Sequence, residues 1–386
     1  MALIDVQELF FESIHTLANK MEFYETPLPF LLMIGVGALL IILALKYNYE
    51  PLFIISIGAG MILGNNPYLP DNQIGINGDG AILNFLYMGI ENGIYSSLIF
   101  LGFGLMTDFT SLISNPKLIL LGSATQIGVF LAFMSALLLG FNLEEASTIG
   151  LIGGADGLTA IFLAGKLAPH LLGPVAIAAY SYMALVPVIL PSLMRFMTTK
   201  EERCIIMKPE REVSRSEKIL FPLVGLLFSN LIAPHSMALL GLFFFGNILN
   251  VSGKIEKVTT KIKTSLVDII TVILGLTVGL STQANEFFTL FSVKIFLIGI
   301  YSFVFATISG LSLAKIMNFL LKGKNRINPL LGASAVPVVP NSANIVQKEA
   351  FKENPDNVIL SKAIAANVSG LIGSALIAGI FLSFFK

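Results

Sequence analysis

The sequence predicts an all-α protein that crosses a membrane several times, and three observations carry this prediction. First, only 12% of its 386 residues are charged, which is about half the fraction of an ordinary soluble domain; 55% are apolar, and the mean hydropathy is +0.83. Second, apolar residues form long runs, such as 118–139, and a helix needs about 20 such residues to cross a bilayer. Third, the 34 glycines suit close packing of helices in lipid.

Composition also excludes several function classes. Lysine and arginine total 24, as do aspartate and glutamate, so there is no basic surplus for nucleic acid and we expect no such partner. Cys204 is the only cysteine, which excludes disulfides within the chain, a CxxC redox pair and thiolate metal clusters. The three histidines lie far apart and show no HExxH-type spacing.

The hydropathy pattern divides the chain into four parts. They are an N-terminal segment (1–24), a first membrane half (25–197), a linker (198–218) and a second membrane half (219–386). The N-terminal segment carries Asp5, Glu8 and Glu12 where a signal peptide would be positive, so we interpret it as a short interfacial amphipathic segment. In both halves, several apolar segments are too short to span a bilayer alone.

The linker is the most highly charged stretch of the chain. It mixes six lysines and arginines with five glutamates. Because basic residues in loops between spans favour the cytoplasmic side, the linker should be cytoplasmic.

Each membrane half is interrupted once by a polar stretch rich in glycine or proline. We call residues 150–159 the first interruption and residues 328–344 the second interruption. Paired broken segments in corresponding halves are typical of transporters built from inverted repeats, with the binding site at the middle of the membrane. Non-helical backbone survives at that depth only where protein or water satisfies it.

The first interruption contains a lone carboxylate, Asp156, between glycines in an apolar stretch. A charge at the centre of a membrane helix costs roughly 2.5–3.5 kcal/mol on insertion scales, so such residues usually serve a function. The neighbouring glycines would expose backbone amides and carbonyls to an ion. We interpret Asp156 as an ion or proton site; the structural alternative is an aspartate that caps a broken helix.

A tyrosine follows 26 residues later, after an intervening turn at 167–173 that lets the two segments run antiparallel. Tyr182 could therefore return to the depth of Asp156, where its phenol would donate to a carboxylate or supply a proton. Interfacial tyrosines are common in membrane proteins, and this is the alternative for Tyr182 and more so for Tyr180.

The second interruption carries three prolines and a glycine, which exclude a regular helix. It also carries neutral oxygen donors, and Asn367 is a further polar residue deep in the last span. Hard oxygen ligands suit hard cations, and here they suit Na⁺. Packing hydrogen bonds are the alternative for each of these residues taken singly: Asn328, Ser334, Asn341, Ser342 and Asn367.

These residues resemble a known family, the integral membrane beta subunits of biotin-dependent, sodium-pumping decarboxylases, which include the oxaloacetate, methylmalonyl-CoA and glutaconyl-CoA enzymes. The likeness runs from about residue 28 to the C-terminus. The motifs that carry it are GFGLMTDF (102–109), GGADG (153–157), AYSYMALVP (179–187), TKEER (199–203), GLTVG (275–279) and NPLLG (328–332).

The resemblance implies a fold with inverted repeats and two re-entrant broken-helix tips. It also implies a translocase of the bacterial cytoplasmic membrane, in which carboxybiotin loses CO₂, a proton is consumed and Na⁺ is exported. The chain has no Ala-Met-Lys-Met biotinylation motif, so carboxybiotin would be presented by a separate carrier subunit. A carboxyltransferase alpha subunit and a small membrane-anchor subunit are the other implied partners, and we expect an oligomer.

The family's functional residues match positions in this chain one by one. Its essential aspartate matches Asp156 and its tyrosine matches Tyr182, which would be the catalytic pair. Its asparagines match Asn328 and Asn367, and Gly332 also keeps its place. With Ser334, these residues and Asp156 would bind Na⁺.

The chain also departs from the family pattern. Leu158 stands where proline is usual, and an ungapped match puts Pro337 at the family's serine and Asn344 at its arginine. Shifting the register by three makes Ser334 match, but this needs an insertion before Gln347. In either register an arginine near the site is missing, although arginine is the natural partner of a carboxylated substrate. The alternative function is therefore that of a divergent paralogue, a secondary transporter of a small anion without the carboxybiotin step.

Overall fold

The computed structural model describes residues 28–47, 50–65, 82–183, 185–253, 256–321, 323–338 and 341–385. Within these ranges every regular element is a helix, so the predicted all-α class is confirmed. The interfacial segment predicted at 1–24 lies outside the described residues.

The first half of the chain folds into short and medium helices. They are α1 (Leu28–Tyr47), α2 (Pro51–Gly64), α3 (Ile82–Glu91), α4 (Ile94–Met106), α5 (Thr110–Ser114), α6 (Leu118–Thr125), α7 (Ile127–Leu138), α8 (Leu143–Ile152), α9 (Gly157–Leu167), α10 (Leu172–Met183) and α11 (Val186–Met197). A 3₁₀ turn over Pro169–Leu171 joins α9 to α10.

The linker and the second half contain the three longest helices of the described chain. Their helices are α12 (Lys200–Arg203), α13 (Arg215–Ile232), α14 (Leu240–Ser252), α15 (Glu256–Ser281), α16 (Ala284–Phe287), α17 (Leu290–Leu320), α18 (Leu331–Ser334), α19 (Asn341–Glu353) and α20 (Leu360–Phe385). Because α13 begins at Arg215, the last four residues of the predicted linker are helical.

Four helical segments of the described chain are long and apolar enough to cross a membrane, or five if one bent pair counts as a single span. The four are α1, α6 with α7, α17 and α20, and the bent pair is α10 with α11, which turns by 57°. Shorter apolar helices, including α2, α4, α9 and α14, pack among them. The predicted mixture of full spans and short segments is confirmed.

The two halves pack helix against helix and do not form separate bundles. Helix α2 packs on α15, α4 on α14, α6 on α20 and α7 on α17. Glycines allow the closest of these approaches: a Cβ on Gly60 of α2 would overlap the carbonyl oxygen of Leu276 on α15. Small residues serve the same purpose in membrane helices generally. Residues from both halves therefore meet inside the molecule. Symmetry between the halves remains a prediction.

The linker is fastened to α17 and α19 by ion pairs. Thr199 and Glu202 form a capping box at the start of α12, which satisfies amides that the helix leaves open. Arg203 then pairs with Glu353 of α19 at 2.7 Å, and Glu202 pairs with Lys315 of α17 at 3.2 Å. These contacts hold the linker against the second half, next to the second interruption.

Candidate functional site

The first interruption is a short break between two helices. Helix α8 ends at Ile152, and α9 begins at Gly157. Between them Ala155 has a φ of 58°, a left-handed conformation that residues with a Cβ adopt only when the surrounding structure enforces it. This turn directs the next residue, Asp156, to the start of α9.

Asp156 is buried at this break, with 2% of its surface exposed. Its Oδ1 accepts a hydrogen bond from the Thr159 amide at 3.2 Å, and its Oδ2 accepts one from the Thr159 hydroxyl at 2.6 Å. Asp156 is thus the N-cap of α9, as the structural alternative holds. Each carboxylate oxygen has a further lone pair, so capping does not use up its capacity to bind a proton or a cation.

The second interruption is longer and carries no charge. Its described part contains the four-residue helix α18, over Leu331–Ser334, and ends in the first turn of α19, which begins at Asn341; no continuous helix runs through it, as its prolines predict. Residues 330–338 are all buried. A Cβ on Gly370 of α20 would overlap the Ala335 carbonyl oxygen, so the last span lies directly against this segment.

Asn367 of α20 hydrogen-bonds to three groups of the second interruption. Its Nδ2 donates to the Ser334 carbonyl at 3.0 Å, to the Val336 carbonyl at 2.9 Å and to the Ser342 hydroxyl at 2.7 Å. The Ser342 hydroxyl lies 3.1 Å from the same two carbonyls. Among the described residues, no hydrogen bond engages Oδ1 of Asn367. That oxygen remains available as a ligand.

The two interruptions meet in one cavity of about 330 Å³, which we call the Asp156 cavity. Asp156 and Leu158 line it from the first interruption, and Pro337 and Val338 line it from the second. Leu371 of α20, one helical turn after Asn367, completes this side. Asn367 is not among the described lining residues, but it hydrogen-bonds to the Val336 carbonyl, directly before the lining residue Pro337.

Asn328 and Gly332 have other contacts. The Asn328 side chain donates to the Arg203 and Ile205 carbonyls of the linker at 2.8 and 3.1 Å, and it accepts from the Leu330 amide at 3.0 Å. Gly332 lies so close to α17 that a Cβ would overlap the Gly310 carbonyl oxygen. These contacts give Asn328 and Gly332 a structural role that involves no ion. Their roles as Na⁺ ligands stay predictions.

Tyr182 returns to the first interruption, as the turn at 167–173 suggested. Its hydroxyl donates to the Ile152 carbonyl at 3.0 Å, and its ring stacks on Phe303 with centroids 5.9 Å apart. The hydroxyl thus satisfies the end of α8 and does not donate to the Asp156 carboxylate in this arrangement. Its predicted catalytic role stays a prediction.

The sequence patterns did not single out Glu50, which also lines the Asp156 cavity. Its carboxylate accepts a hydrogen bond from Nδ2 of Asn341 at 2.7 Å. Tyr180, which received less weight than Tyr182, lines the same cavity. The only available signal for Glu50 is a carboxylate directly before Pro51, where an apolar segment begins. A charge at a span boundary is ordinarily a solvated residue, so this signal is weak.

Comparison with known proteins finds relatives along nearly the whole chain. The family model described as "Na+-transporting oxaloacetate decarboxylase beta subunit" matches residues 30–385. The methylmalonyl-CoA decarboxylase subunit beta of Veillonella parvula is 42% identical over 97% of this chain and 98% of its own length. The glutaconyl-CoA decarboxylase subunit beta of Acidaminococcus fermentans is 42% identical over 91% and 92%.

A third relative, the oxaloacetate decarboxylase beta chain 2 of Salmonella typhi, is 45% identical over 79% of this chain and 71% of its own. The three relatives are named for three different acyl or keto-acid substrates, so the likeness does not select among substrates. The matches extend through both interruptions and the linker between them. The chain therefore belongs to the family of Na⁺-transporting oxaloacetate decarboxylase beta subunits.

Proposed function

We propose that this chain is the membrane subunit of a sodium-pumping decarboxylase, in which loss of CO₂ from carboxybiotin drives Na⁺ out of a bacterial cell across the cytoplasmic membrane. The observation that carries the proposal is the Asp156 carboxylate, which is buried at a helix break and faces a cavity shared by both interruptions. A carboxylate in that position can hold either a proton or a cation.

Asp156 is the exchange group in this proposal. Loss of CO₂ breaks the bond between the carboxylate carbon and the biotin nitrogen, and that nitrogen then takes up a proton. If Asp156 gives up this proton, the carboxylate left behind attracts Na⁺ into the cavity. The Thr159 hydroxyl and amide hold both carboxylate oxygens in place during the exchange. Export against a potential of 100 mV costs about 2.3 kcal/mol per charge, which decarboxylation must supply.

Neutral oxygens from the second interruption and from α20 complete the proposed cation site. Oδ1 of Asn367 is available, and its Nδ2 fixes the side chain by three hydrogen bonds. Ser334 contributes its hydroxyl, which at present donates to the Leu331 carbonyl at 2.8 Å. Gly332 and Asn328 remain in the proposal as predicted ligands; Asn328 would first have to release the linker carbonyls.

Tyr182 is proposed as a positioning residue for the turn that carries Asp156. Its hydrogen bond to the Ile152 carbonyl holds the end of α8, four residues before Asp156. Direct proton donation to the site, as the resemblance implies, would require this hydroxyl to leave Ile152.

The proposal requires other polypeptides. A separate carrier subunit brings carboxybiotin, a carboxyltransferase alpha subunit loads it, and a small membrane-anchor subunit holds the complex to this chain. The test is to reconstitute the complex in vesicles and to measure CO₂ release as Na⁺ is varied. Release that depends on both Na⁺ and the carboxylated carrier supports the proposal; release that is absent with every partner present contradicts it.

A second candidate function is secondary transport of a small anion. One observation favours it: the second interruption faces the Asp156 cavity with Pro337 and Val338, and residues 328–344 contain no arginine. The carboxylated group of a carrier would therefore lack a guanidinium partner in this segment. Uptake of a labelled carboxylate by vesicles that contain this chain alone, without any carrier, would favour this candidate over the pump.

A further inference from the structure

A second cavity lies beside the Asp156 cavity, and the same side chains line both. The second cavity has a volume of about 710 Å³, and we call it the Lys348 cavity. Glu50, Tyr180 and Met183 line both cavities. These three side chains therefore form the boundary between the two spaces.

The two cavities differ in charge. The Asp156 cavity carries carboxylates at Asp156, Glu50 and the exposed Asp268, and no lysine, arginine or histidine of the described chain lines it. The Lys348 cavity carries an exposed ammonium group at Lys348 and the side chain of Asn344, and its only carboxylate among the described lining residues is Glu50 at the boundary. Clefts lined by one sign of charge concentrate ions of the opposite sign. The first space favours cations, and the Lys348 end of the second favours anions.

One hydrogen bond joins the two halves of the chain at this boundary. Glu50 stands directly before α2, and Asn341 is the first residue of α19. The Glu50 carboxylate accepts from Nδ2 of Asn341 at 2.7 Å. Glu50 holds this position with a φ of 38°, and Pro51 follows it with a backbone angle fixed by its ring. The pair thus links a rigid helix start in the first half to the second interruption.

We propose that the hydrogen bond between Glu50 and Asn341 is a divider that keeps the Asp156 cavity and the Lys348 cavity apart. Glu50 is then a positioning residue, and it acts through Asn341. The inference rests on the proposed function in one respect: cations and the carboxylated group reach Asp156 from different sides. Without the divider, anions enter the cation space, and a cation can leave by the wrong route.

The test measures access to the Asp156 cavity and needs neither a carrier nor activity. Cys204→Ser makes the chain free of cysteine, and Thr271→Cys then places a thiol in the Asp156 cavity on α15. The purified full chain is treated with an anionic and with a cationic methanethiosulfonate reagent. The ratio of the two labelling rates is compared among variants, with Ile345→Cys in the Lys348 cavity as the matched control site.

The variants distinguish the effect of the hydrogen bond between Glu50 and Asn341 from the effect of the Glu50 charge. Glu50→Ala and Asn341→Ala both break the bond, and each should raise the anionic-to-cationic ratio at position 271 by about tenfold. Glu50→Gln keeps an acceptor for Asn341 but loses the charge, and the ratio should stay within about twofold. The double variant Glu50→Gln/Asn341→Asp exchanges donor and acceptor, and it should also keep the low ratio. At the control site, Glu50→Ala and Glu50→Gln should change the ratio equally, because both remove a carboxylate that also lines the Lys348 cavity, and Asn341→Ala should leave the ratio unchanged.

Two results would overturn the divider. One is an unchanged ratio at position 271 in both alanine variants, because the cavities would then not be separated by this pair. The other is a rise in Glu50→Gln that equals the rise in Glu50→Ala while Asn341→Ala stays low, because Glu50 would then act by its charge alone. Failure of the proposed function is a distinct result: the labelling pattern holds while the reconstituted complex releases no CO₂.

Discussion

The two interruptions serve the same cavity but are built in opposite ways. The first is a tight break of a few residues with one ionisable group, Asp156, whose oxygens are fixed by Thr159 within the same segment. The second is long, neutral and rich in proline, and residues far away in the sequence fix it. Asn367 of the last span holds its carbonyls, and Asn328 joins it to the linker.

This contrast indicates that the two interruptions have different roles in ion exchange. A group that exchanges Na⁺ for a proton must change its charge, and only the first interruption can do so. A neutral segment cannot titrate, but it can present oxygens and change shape when its distant anchors move. We therefore expect substitutions in the first interruption to abolish exchange, and substitutions in the second to alter affinity, release or stability.

The largest effect should come from removing the single charge. Asp156→Asn keeps an oxygen that can accept from Thr159 but cannot exchange a proton for a cation. Decarboxylation and Na⁺ transport should fall together by about a hundredfold or more, measured as CO₂ release and ²²Na⁺ uptake in vesicles that contain the complex. Asp108→Asn, which alters an exposed carboxylate at the end of α4, is the control and should leave both rates unchanged. Full coupled activity in Asp156→Asn would contradict the assignment.

The next largest effect should come from placing a charge in the neutral segment. Asn367→Asp removes the donor to the Ser334 and Val336 carbonyls, and a cation between the new carboxylate and these oxygens would relieve their repulsion. Na⁺ should bind about tenfold more tightly, by 1.4 kcal/mol, and leave more slowly, since a transported ion must also be released. A lower KM for Na⁺ with a lower kcat is the expected signature.

Asn367→Ala provides the comparison for that variant, because it loses the same hydrogen bonds without adding charge. Its KM for Na⁺ should rise. If both variants raise KM equally, Asn367 contributes only packing and the neutral segment does not face the ion.

A smaller effect is expected at the anchor of the second interruption. Asn328→Ala leaves two linker carbonyls without their donor and should lower the free energy of unfolding by about 1–3 kcal/mol. Thermal unfolding of the purified chain measures this loss. The KM for Na⁺ should rise as well, because the proposal makes Asn328 an ion ligand once it releases the linker carbonyls. A change in KM of less than about twofold would contradict that role and leave Asn328 as an anchor of the linker alone.

The smallest effect should follow Tyr182→Phe. The phenyl ring can still stack on Phe303, and only the hydrogen bond to Ile152 is lost, which is worth about 1 kcal/mol. We expect kcat to fall about fivefold. A fall of about a hundredfold to ten-thousandfold is typical of a lost proton donor, so that result would restore the catalytic role that the resemblance implies.

The sequence predicted the first interruption better than the second because local chemistry builds the first. A carboxylate between glycines, with Thr159 three residues on, specifies a capped helix break without help from distant residues. The second interruption could be predicted only as a break, since its prolines forbid a helix but do not say what replaces it. The two carbonyls to which Asn328 donates lie more than 120 residues away in the sequence. No local pattern distinguishes an amide that anchors a loop from one that binds an ion.

Glu50 was missed for a related reason. Next to Pro51 it has the pattern of an ordinary charged residue at the end of a membrane span. Only the packing of α2 on α15, together with the position of α19, turns it toward the Asp156 cavity. Whether a boundary charge lines a cavity depends on tertiary contacts, which hydropathy does not contain.

The central claim, that Na⁺ and a proton compete for Asp156, is tested most directly by ion binding to the purified chain. A ligand that binds only the folded chain raises the melting temperature, and the rise grows with the logarithm of its concentration once that exceeds the Kd. The Tm is therefore measured against Na⁺ concentration at several pH values, with K⁺ as the control salt. If Na⁺ and the proton compete, Na⁺ raises the Tm of the unmodified chain, and Asp156→Asn shows no such rise. Once the proton occupies the site, each unit of falling pH should increase the Na⁺ concentration that gives the same rise in Tm by up to about tenfold. An Na⁺ effect that is independent of pH, or equal in Asp156→Asn, would contradict this competition.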